Sequence, residues 1–309
     1  MVRDMKIYKN FNISKNHKES IILIGNFDGV HLGHQKLFKL ANNYKKKFKL
    51  KIGVVTFEPM PKMYFNKNFK NFRISNINQK IQILKNLGVD FLITKKFDKK
   101  FSRIKSNYFI KDILSKKLKA KYIFVSNNFR FGNKREGDVK QLIKNEKIYN
   151  YQIVKPHPFL LNKKIISSTQ IRSFLEKGNL KKANKALNRN WSIEGIVRKG
   201  RQQGKKIGFP TCNIDIEDYV IAMPGVYAVK VNHYNFNKSL KAIANLGYRP
   251  TFNQKKILLE VHIFNFSGNL YNKYLSVEFI KFIRKERRFN NVDQLKSQIK
   301  IDLNIAKKS

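Results

Sequence analysis

Two histidines stand three positions apart in a glycine-rich stretch of the chain, Ile24-Gly25-Asn26-Phe27-Asp28-Gly29-Val30-His31-Leu32-Gly33-His34. The stretch follows an apolar run and opens an amphipathic one, where free backbone N–H groups and the helix dipole favour an anion. Its three glycines let the backbone approach a phosphate closely. His31 and His34 can then donate hydrogen bonds to charge that develops on a phosphoryl group. The stretch predicts a phosphate-transfer site, and a structural tight turn is the alternative.

A second stretch with phosphate-binding side chains is Ile166-Ser167-Ser168-Thr169-Gln170-Ile171-Arg172, which also opens a predicted helix. Its hydroxyl groups can cap the helix and contact phosphate. One turn further on, the guanidinium of Arg172 can reach a pyrophosphate. A plain helix cap followed by a surface arginine is the alternative.

Residues 200–213, Gly-Arg-Gln-Gln-Gly-Lys-Lys-Ile-Gly-Phe-Pro-Thr-Cys-Asn, offer a second phosphate site. Glycine and lysine suit a loop that closes over a triphosphate, and Thr211 and Asn213 supply hard oxygen ligands for Mg²⁺. Further on, the carboxylate of Glu260 lies within a strongly apolar run. Alternation along a strand places it on one face with Leu258 and His262. A Gly/Pro turn and a solvent-facing glutamate are the alternatives.

The elements that must position these residues change character along the chain. Upstream of residue 188, we predict buried strands at 21–24, 52–57, 91–94 and 122–125, and helices at 35–47, 78–87, 106–118 and 168–176. Strands separated by helices predict an α/β domain, a parallel sheet with helices on both faces.

After Trp191 the hydrophobic pattern has period two. We predict strands at 192–197, 225–231, 241–245, 258–264 and 275–283, which form an antiparallel barrel or sandwich. A last helix follows, capped by Asn291 or Asp293. The expected division is one domain over 1–188 and a second over 189–309.

Composition limits the classes of function. The 309 residues carry a formal net charge of +45, but 42% are hydrophobic, which argues against a disordered polycation. Lysine pairs recur along the whole chain instead of forming one basic patch, so compositional bias explains the charge better than nucleic-acid binding does. Cys212 is the single cysteine, and no apolar run reaches the length of a membrane span. We expect a cytoplasmic protein with no membrane or nucleic-acid partner, a monomer or weak homo-oligomer.

The histidine stretch and the 166–172 stretch resemble the nucleotidyltransferase module of bacterial FAD synthetases. Thr56-Phe57-Glu58-Pro59 and Asn128-Phe129-Arg130-Phe131-Gly132 are similar to two further segments of that family, in matching order. The resemblance implies a Rossmann-like fold and adenylylation of FMN by ATP, with Mg²⁺ as cofactor. It also implies three sets of site residues: catalytic His31, His34 and Arg172; ATP-binding Gly25, Asn26, Phe27, Asp28, Gly33, Ser167, Ser168 and Thr169; and flavin-binding Asn128.

The barrel half resembles the riboflavin kinase module of the same bifunctional family. The similar segments are residues 208–213, 224–227, 245–252, 260–262 and 284–289. The resemblance implies phosphorylation of riboflavin by ATP, with Glu260 as the general base. It further implies ATP binding by Gly204, Lys205, Gly208, Pro210, Thr211 and Asn213, Mg²⁺ binding by Thr211 and Asn213, and flavin binding by Arg284 and Glu286.

Two departures from the family pattern leave an alternative open. Met60 stands where the family usually has histidine, and Ser126-Asn127-Asn128 stands where it usually has Gly-x-Asp. A chain in which only the kinase module is active is therefore one alternative. A basic nucleic-acid-binding protein is another. A fragment of a class I aminoacyl-tRNA synthetase, suggested by the sequence from His31 to His34, lacks the second motif of that class.

Overall fold

The structure is a computed structural model that describes residues 4–66, 68–157, 159–161, 164–200, 204, 207–233, 235–250 and 255–309. The chain forms two compact units. Unit 1 holds residues 1–70 and 77–167, and unit 2 holds residues 71–76 and 168–309.

Unit 1 is an α/β domain. Its strands are β1 (Lys6–Tyr8), β2 (Ile21–Ile24), β3 (Ile52–Glu58), β4 (Phe91–Lys96), β5 (Tyr122–Phe124), β6 (Arg130–Phe131), β7 (Gly137–Asp138), β8 (Gln152–Val154), β9 (Leu160–Leu161) and β10 (Lys164–Ile165). Six of them form a parallel sheet in the order β1-β4-β3-β2-β5-β8. The pairs β6–β7 and β9–β10 are antiparallel.

Helices cover both faces of this sheet. They are α1 (Leu32–Phe48), α2 (Pro61–Phe65), α3 (Ile77–Asn86), α4 (Lys99–Ser102), α5 (Ser106–Tyr108), which continues as a π-helix over Phe109–Lys117, α6 (Val139–Lys144) and α7 (Glu146–Tyr149). Along β2 the side chains alternate between two cores, since Ile21 and Leu23 pack in one and Ile22 and Ile24 in the other. Because both faces are buried, the strand is a continuous apolar run, as a covered parallel sheet requires.

Unit 2 is a closed antiparallel barrel with flanking helices. Its elements are α8 (Ser168–Glu176), α9 (Leu180–Leu187), β11 (Ser192–Arg198), β12 (Cys212–Asp215), β13 (Gly225–Asn232), β14 (Leu240–Pro250), β15 (Lys255–Ile263), β16 (Tyr274–Lys285) and α10 (Val292–Lys307). The barrel order is β11-β12-β15-β14-β13-β16. Asn291 is the cap of α10, since its Oδ1 accepts from the backbone N–H of Gln294 at 2.9 Å. Ala306 and Leu303 pack on the barrel wall.

A short segment from early in the chain, residues 71–76, is part of unit 2. The backbone N–H groups of Phe72 and Arg73 donate to the carbonyl of Asp218, and the carbonyl of Ile74 accepts from the indole Nε1 of Trp191 at 2.9 Å. Trp191 is 1% exposed and packs on Phe279, with ring centroids 4.7 Å apart. The segment is thereby fixed within unit 2 by backbone hydrogen bonds and by one from an indole side chain, a feature that the sequence pattern did not predict.

The predicted fold class is confirmed, with differences at element ends and with three strands, β1 and β8 of the sheet and β12 of the barrel, that were not predicted. Helix α1 begins at Leu32, three residues before the predicted start, because His31 takes the extended cap conformation. Strand β14 runs to Pro250, beyond the predicted 245, because its later residues continue the ladder with β15. Among the described helices, none combines the length and the apolar character that crossing a membrane requires.

Candidate functional site

The two histidines of unit 1 form a stacked pair at the start of α1. Strand β2 ends at Ile24, a short turn covers Asp28–Val30, and His31 caps the helix. The imidazole rings of His31 and His34 lie 3.7 Å apart between centroids, with 20° between their planes. The ring of Phe27 meets His34 edge-on at 5.2 Å. The predicted strand-to-helix turn is present, and it holds both imidazoles at the positive end of a 17-residue helix.

The environment of His34 favours the neutral imidazole. Burial lowers its pKa well below the usual 6.5, and the nearby His31 and Lys80 lower it further. Its Nδ1 is buried and has no hydrogen-bond partner among the residues that the structure describes. A neutral imidazole retains one N–H to donate, so His34 can still stabilise a developing negative charge.

The ring of His31 packs where a side chain at residue 33 would lie, so this position requires glycine. A Cβ atom at residue 33 would lie 3.2 Å from both Cε1 and Nδ1 of His31, closer than ordinary van der Waals contact. The glycine between the histidines therefore leaves the space that the His31 ring occupies.

A buried lysine beside this pair was not among the predicted site residues. Lys80, on α3, is fully buried, and its Nζ lies 3.3 Å from the Glu58 Oε1 at the end of β3. Its charge is one of the causes of the low pKa of His34. The sequence did contain a signal, because Lys80 lies three residues after Ile77 and four before Leu84, on the apolar stripe of the helix.

The 166–172 stretch is divided between the two units. Helix α8 starts at Ser168 as predicted, and Ser167 precedes it in unit 1. Arg172 belongs to unit 2, is 8% exposed, and donates from Nε to the carbonyl of Phe72 at 2.7 Å. Its guanidinium lies 3.6 Å over the Phe72 ring. The alternative of a surface arginine is therefore wrong, and Arg172 is a buried, stacked side chain in a different unit from the histidines.

The remaining predicted residues of the first site have local roles. The backbone carbonyl of Asn26 accepts from the Thr56 hydroxyl at 3.3 Å, and Asp28 is buried in the turn. Asn128 is exposed, and its Oδ1 accepts from the Ser126 hydroxyl at 2.8 Å. The altered loop is thus closed on itself by a side-chain hydrogen bond.

The second site is a cavity of about 500 Å³ in unit 2. Its polar wall holds Gly204, Thr211, Asn213, Glu260, Arg284 and Glu286, and its apolar wall includes Val226, Val292, Leu295 and Ile299. These six polar-wall residues, all predicted for the kinase site, therefore line one cavity together with one apolar face of helix α10. Lys205 lies outside the described residues.

Five residues that are paired across neighbouring barrel strands form a row along the cavity wall, called the lateral row below. Asn213 on β12 is paired with Glu260 on β15, Glu260 with Asn245 on β14, Asn245 with Val226 on β13, and Val226 with Arg284 on β16. Directly opposite residues share one face of a sheet, so the five side chains lie along one line of the wall. Asn245, which was not predicted as a site residue, also donates to the Glu286 Oε1 at 3.3 Å.

The amide of Asn213 is an unsatisfied group in this row. Asn213 is 5% exposed, and its Oδ1 has no hydrogen-bond partner among the described residues. Such a buried acceptor is costly unless a ligand or ion completes it. Nowhere in the described residues do three or more His, Cys, Asp or Glu side chains meet in a metal-binding cluster. An oxygen set of amide and hydroxyl is the kind that Mg²⁺ binds together with substrate phosphates.

The end of the glycine-rich loop is held against the barrel. His262 on β15 donates from Nδ1 to the carbonyl of Pro210 at 2.8 Å, since a carbonyl can only accept. Gly208 has φ +90°, a conformation that favours glycine. The loop therefore enters β12 at a fixed point and presents Thr211 to the cavity.

Comparison with known proteins gives two family matches. The model of the FAD synthetase family matches residues 13–170, and the model of the riboflavin kinase family matches residues 187–309. Three relatives share the description bifunctional riboflavin kinase/FMN adenylyltransferase. The protein of Buchnera aphidicola subsp. Schizaphis graminum is 40% identical over 98% of both chains, and that of Escherichia coli K12 is 37% identical over 96% of both. That of Bacillus subtilis 168 is 31% identical over 94% of this chain and 92% of its own.

A solved structure has the same fold over the full length. It is described as a macrolide-efflux protein from Streptococcus pneumoniae, it is 29% identical, and it covers 99% of both chains with a TM-score of 0.87. Both the α/β unit and the barrel unit are therefore matched by one known chain.

Proposed function

Since the chain belongs to the family of bifunctional riboflavin kinase/FMN adenylyltransferases, we propose that it converts riboflavin to FMN and FMN to FAD, with ATP as the co-substrate of both reactions. The observation that supports the proposal is that predicted site residues come together within each family match: the stacked histidines in the first and the cavity lined by Glu260 in the second. The order of the two matches is the order of the two units.

The proposed kinase step uses Glu260 as a general base. The 5′-hydroxyl oxygen of riboflavin attacks the γ-phosphorus of ATP, its proton goes to the Glu260 carboxylate, and the bond to the ADP oxygen breaks. Glu260 is half-buried in the cavity wall, between Asn213 and Asn245 in the lateral row. A positioned base of this type contributes about 100- to 10,000-fold.

Mg²⁺ is proposed as the cofactor of this step. Thr211 and Asn213 would hold it, because both residues line the cavity and the buried Oδ1 of Asn213 has no hydrogen-bond partner among the described residues. When bound, the ion neutralises charge on the ATP phosphates. The protein residues fix the position of the triphosphate relative to Glu260.

The proposed adenylylation needs no base or covalent intermediate on the protein. A phosphate oxygen of FMN attacks the α-phosphorus of ATP, and the bond to pyrophosphate breaks. His31 and His34 donate N–H groups to the charge on the transferring group, and the backbone N–H groups at the start of α1 add to them. The low pKa of His34 keeps it a hydrogen-bond donor without a formal charge. Arg172 is proposed to bind the leaving pyrophosphate, with Gly25, Ser168 and their neighbours contacting ATP.

The functional modules are proposed as residues 1–188 for adenylylation and 189–309 for the kinase. Helices α8 and α9 precede the barrel in sequence and fall at the end of the first proposed module. We further propose a cytoplasmic location, supported by the use of ATP in both reactions and by the single cysteine, which leaves no partner for an intrachain disulfide. A monomer or weak homo-oligomer completes the proposal.

A flavin time course tests the proposed function. The purified protein is incubated with riboflavin, ATP and Mg²⁺, and flavins are separated by chromatography over time. We expect FMN to appear first and FAD to follow. Absence of both products would refute the proposal, and FMN without FAD would leave a kinase alone, the alternative that the departure at Asn128 leaves open.

Two single substitutions test the separation of the sites. Glu260→Gln should lower riboflavin phosphorylation by at least 100-fold and leave adenylylation of supplied FMN unchanged. His31→Ala should do the reverse. Equal loss of both activities in either variant would contradict the assignment of one reaction to each module.

A further inference from the structure

A buried carboxylate on the C-terminal helix α10 forms an ion pair with an arginine of the kinase cavity. Asp302 is 2% exposed and forms a bidentate ion pair with Arg284 of β16. Arg284 Nε lies 3.1 Å from Oδ1 and 2.9 Å from Oδ2, and Nη2 lies 2.7 Å from Oδ2. Such fork-to-fork pairs fix the plane of a guanidinium as well as its position.

Both groups of this pair are further held by neighbours. Gln298, one turn earlier on α10, donates from Nε2 to Asp302 Oδ1 at 2.7 Å, and its own Oε1 accepts from Arg287. Arg284 Nη1 donates to the carbonyl of Lys285 at 3.0 Å. Each oxygen of Asp302 thus accepts two hydrogen bonds. Asp302 has little capacity left for a ligand and acts on the cavity through Arg284.

The position of Arg284 in the lateral row indicates which substrate it faces. Asn213, the proposed Mg²⁺ ligand, lies one strand from Glu260 on one side. Arg284 lies three strands from Glu260 on the other side, past Asn245 and Val226. At about 4.8 Å between strands, this is the part of the wall away from the triphosphate. It is also the part next to the apolar face of α10, which suits a flat, largely uncharged ring system.

We propose that Asp302 is a positioning residue of the kinase site: it holds Arg284 flat against the flavin end of the cavity and cancels its charge there, so that the site accepts the neutral acceptor substrate. The inference rests on the proposed function of the barrel unit. It assigns to the C-terminal helix a direct part in riboflavin affinity, transmitted by one ion pair.

The test is a double-mutant cycle on the full-length protein. Asp302→Asn should raise the KM for riboflavin by about tenfold or more and change the KM for ATP by less than twofold. Arg284→Gln should have the same effect, and the double variant should be no worse than either single one, because both changes break one interaction. Asp293→Asn, an exposed acid on the same helix, is the matched control and should behave as the wild type. Additive losses in the double variant, or a parallel rise in both KM values, would overturn the proposal.

A second double variant and a binding assay allow the proposal to be tested even if a single variant fails to fold. If Asp302→Asn unfolds, the double variant Arg284→Met/Asp302→Leu removes both charges and avoids leaving one buried charge unpaired. That variant should fold and still show weak riboflavin affinity; normal affinity in it would refute the positioning role. Riboflavin binding followed by flavin fluorescence gives a readout without turnover. A wild-type protein that binds and phosphorylates no riboflavin refutes the proposed function, whereas an active wild type with an unaffected Asp302→Asn refutes this inference alone.

Discussion

Gly200 should be as important to the kinase as the side chains proposed to bind ATP, because it leaves space for one of them, Asn213. A Cβ atom at residue 200 would lie 2.0 Å from Nδ2 and 2.8 Å from Cγ of Asn213. Ordinary contact begins at 3.4 Å, so in Gly200→Ala the amide must move by about 1 Å or more. Asn213 is 5% exposed and cannot make this movement without leaving its place in the cavity wall. A misplacement of 1 Å costs about 100-fold in rate, or roughly 2.7 kcal/mol.

The assay is steady-state riboflavin phosphorylation with MgATP as the varied substrate. For Gly200→Ala we expect kcat/KM for MgATP to fall by about 100-fold, while adenylylation of supplied FMN stays within twofold of the wild type. Gly268→Ala is the matched control: its Cβ would also be tight, 3.0 Å from the ring of Phe266, but on an exposed turn after β15. Wild-type kinase activity in Gly200→Ala would refute the reasoning that the fixed Asn213 amide orients the triphosphate.

Three further predictions concern the histidine pair and the barrel core. Gly33→Ala should displace the His31 ring by a few tenths of an ångström and lower FAD formation by about tenfold, with phosphorylation unchanged in the same flavin assay. Because the pKa of His34 is below 6.5 in the folded protein, the unfolded chain binds a proton at this residue at a higher pH than the folded chain does. The free energy of unfolding, measured in urea, should therefore fall as the pH drops from 7 to 5, and it should fall less steeply in His34→Phe. The same dependence on pH in both proteins would contradict this. Trp191→Ala should cost about 3–5 kcal/mol of unfolding free energy in urea, whereas Val292→Ala, 52% exposed, should cost under 1 kcal/mol.

The parts of the fold that follow local pattern were predictable. Strand β2 has the predicted ends because its four-residue apolar run lies between Ser20 and Gly25, and its side chains are buried on both faces of the sheet. Helix α8 also matches, since Ser168 is a good first residue and the glycine at 178 ends the helical pattern soon after Glu176. In these places propensity, hydrophobic period and capping all indicate the same structure.

The parts that depend on distant partners were not predictable. Arg172 and Phe72 are one hundred residues apart, and nothing near either one indicates that they stack. The same holds for Trp191 and Ile74, which join the 71–76 segment to the barrel. The lateral row from Asn213 to Arg284 also needs the strand register, which depends on which strands pair and where bulges fall. Glu260 and Asn213 were predicted as separate site residues, and the strand register pairs them directly across β12 and β15.

The large positive net charge of the chain, +45, is not repeated as an excess of unpaired buried cations in the part of the chain that the structure describes. Within the described residues, the buried cationic side chains are Arg73, Lys80 and Arg172, and each has a partner: Asp218, Glu58 and the Phe72 carbonyl. With 65 basic and 20 acidic residues, most of the surplus must therefore be hydrated at the surface. There it can attract ATP and FMN over about one Debye length, which changes arrival rates and weakens with salt. Two buried atoms that lack a hydrogen-bond partner among the described residues, His34 Nδ1 and Asn213 Oδ1, belong to uncharged groups, so these two groups can orient phosphate as fixed dipoles, whereas the surface lysines act on encounter.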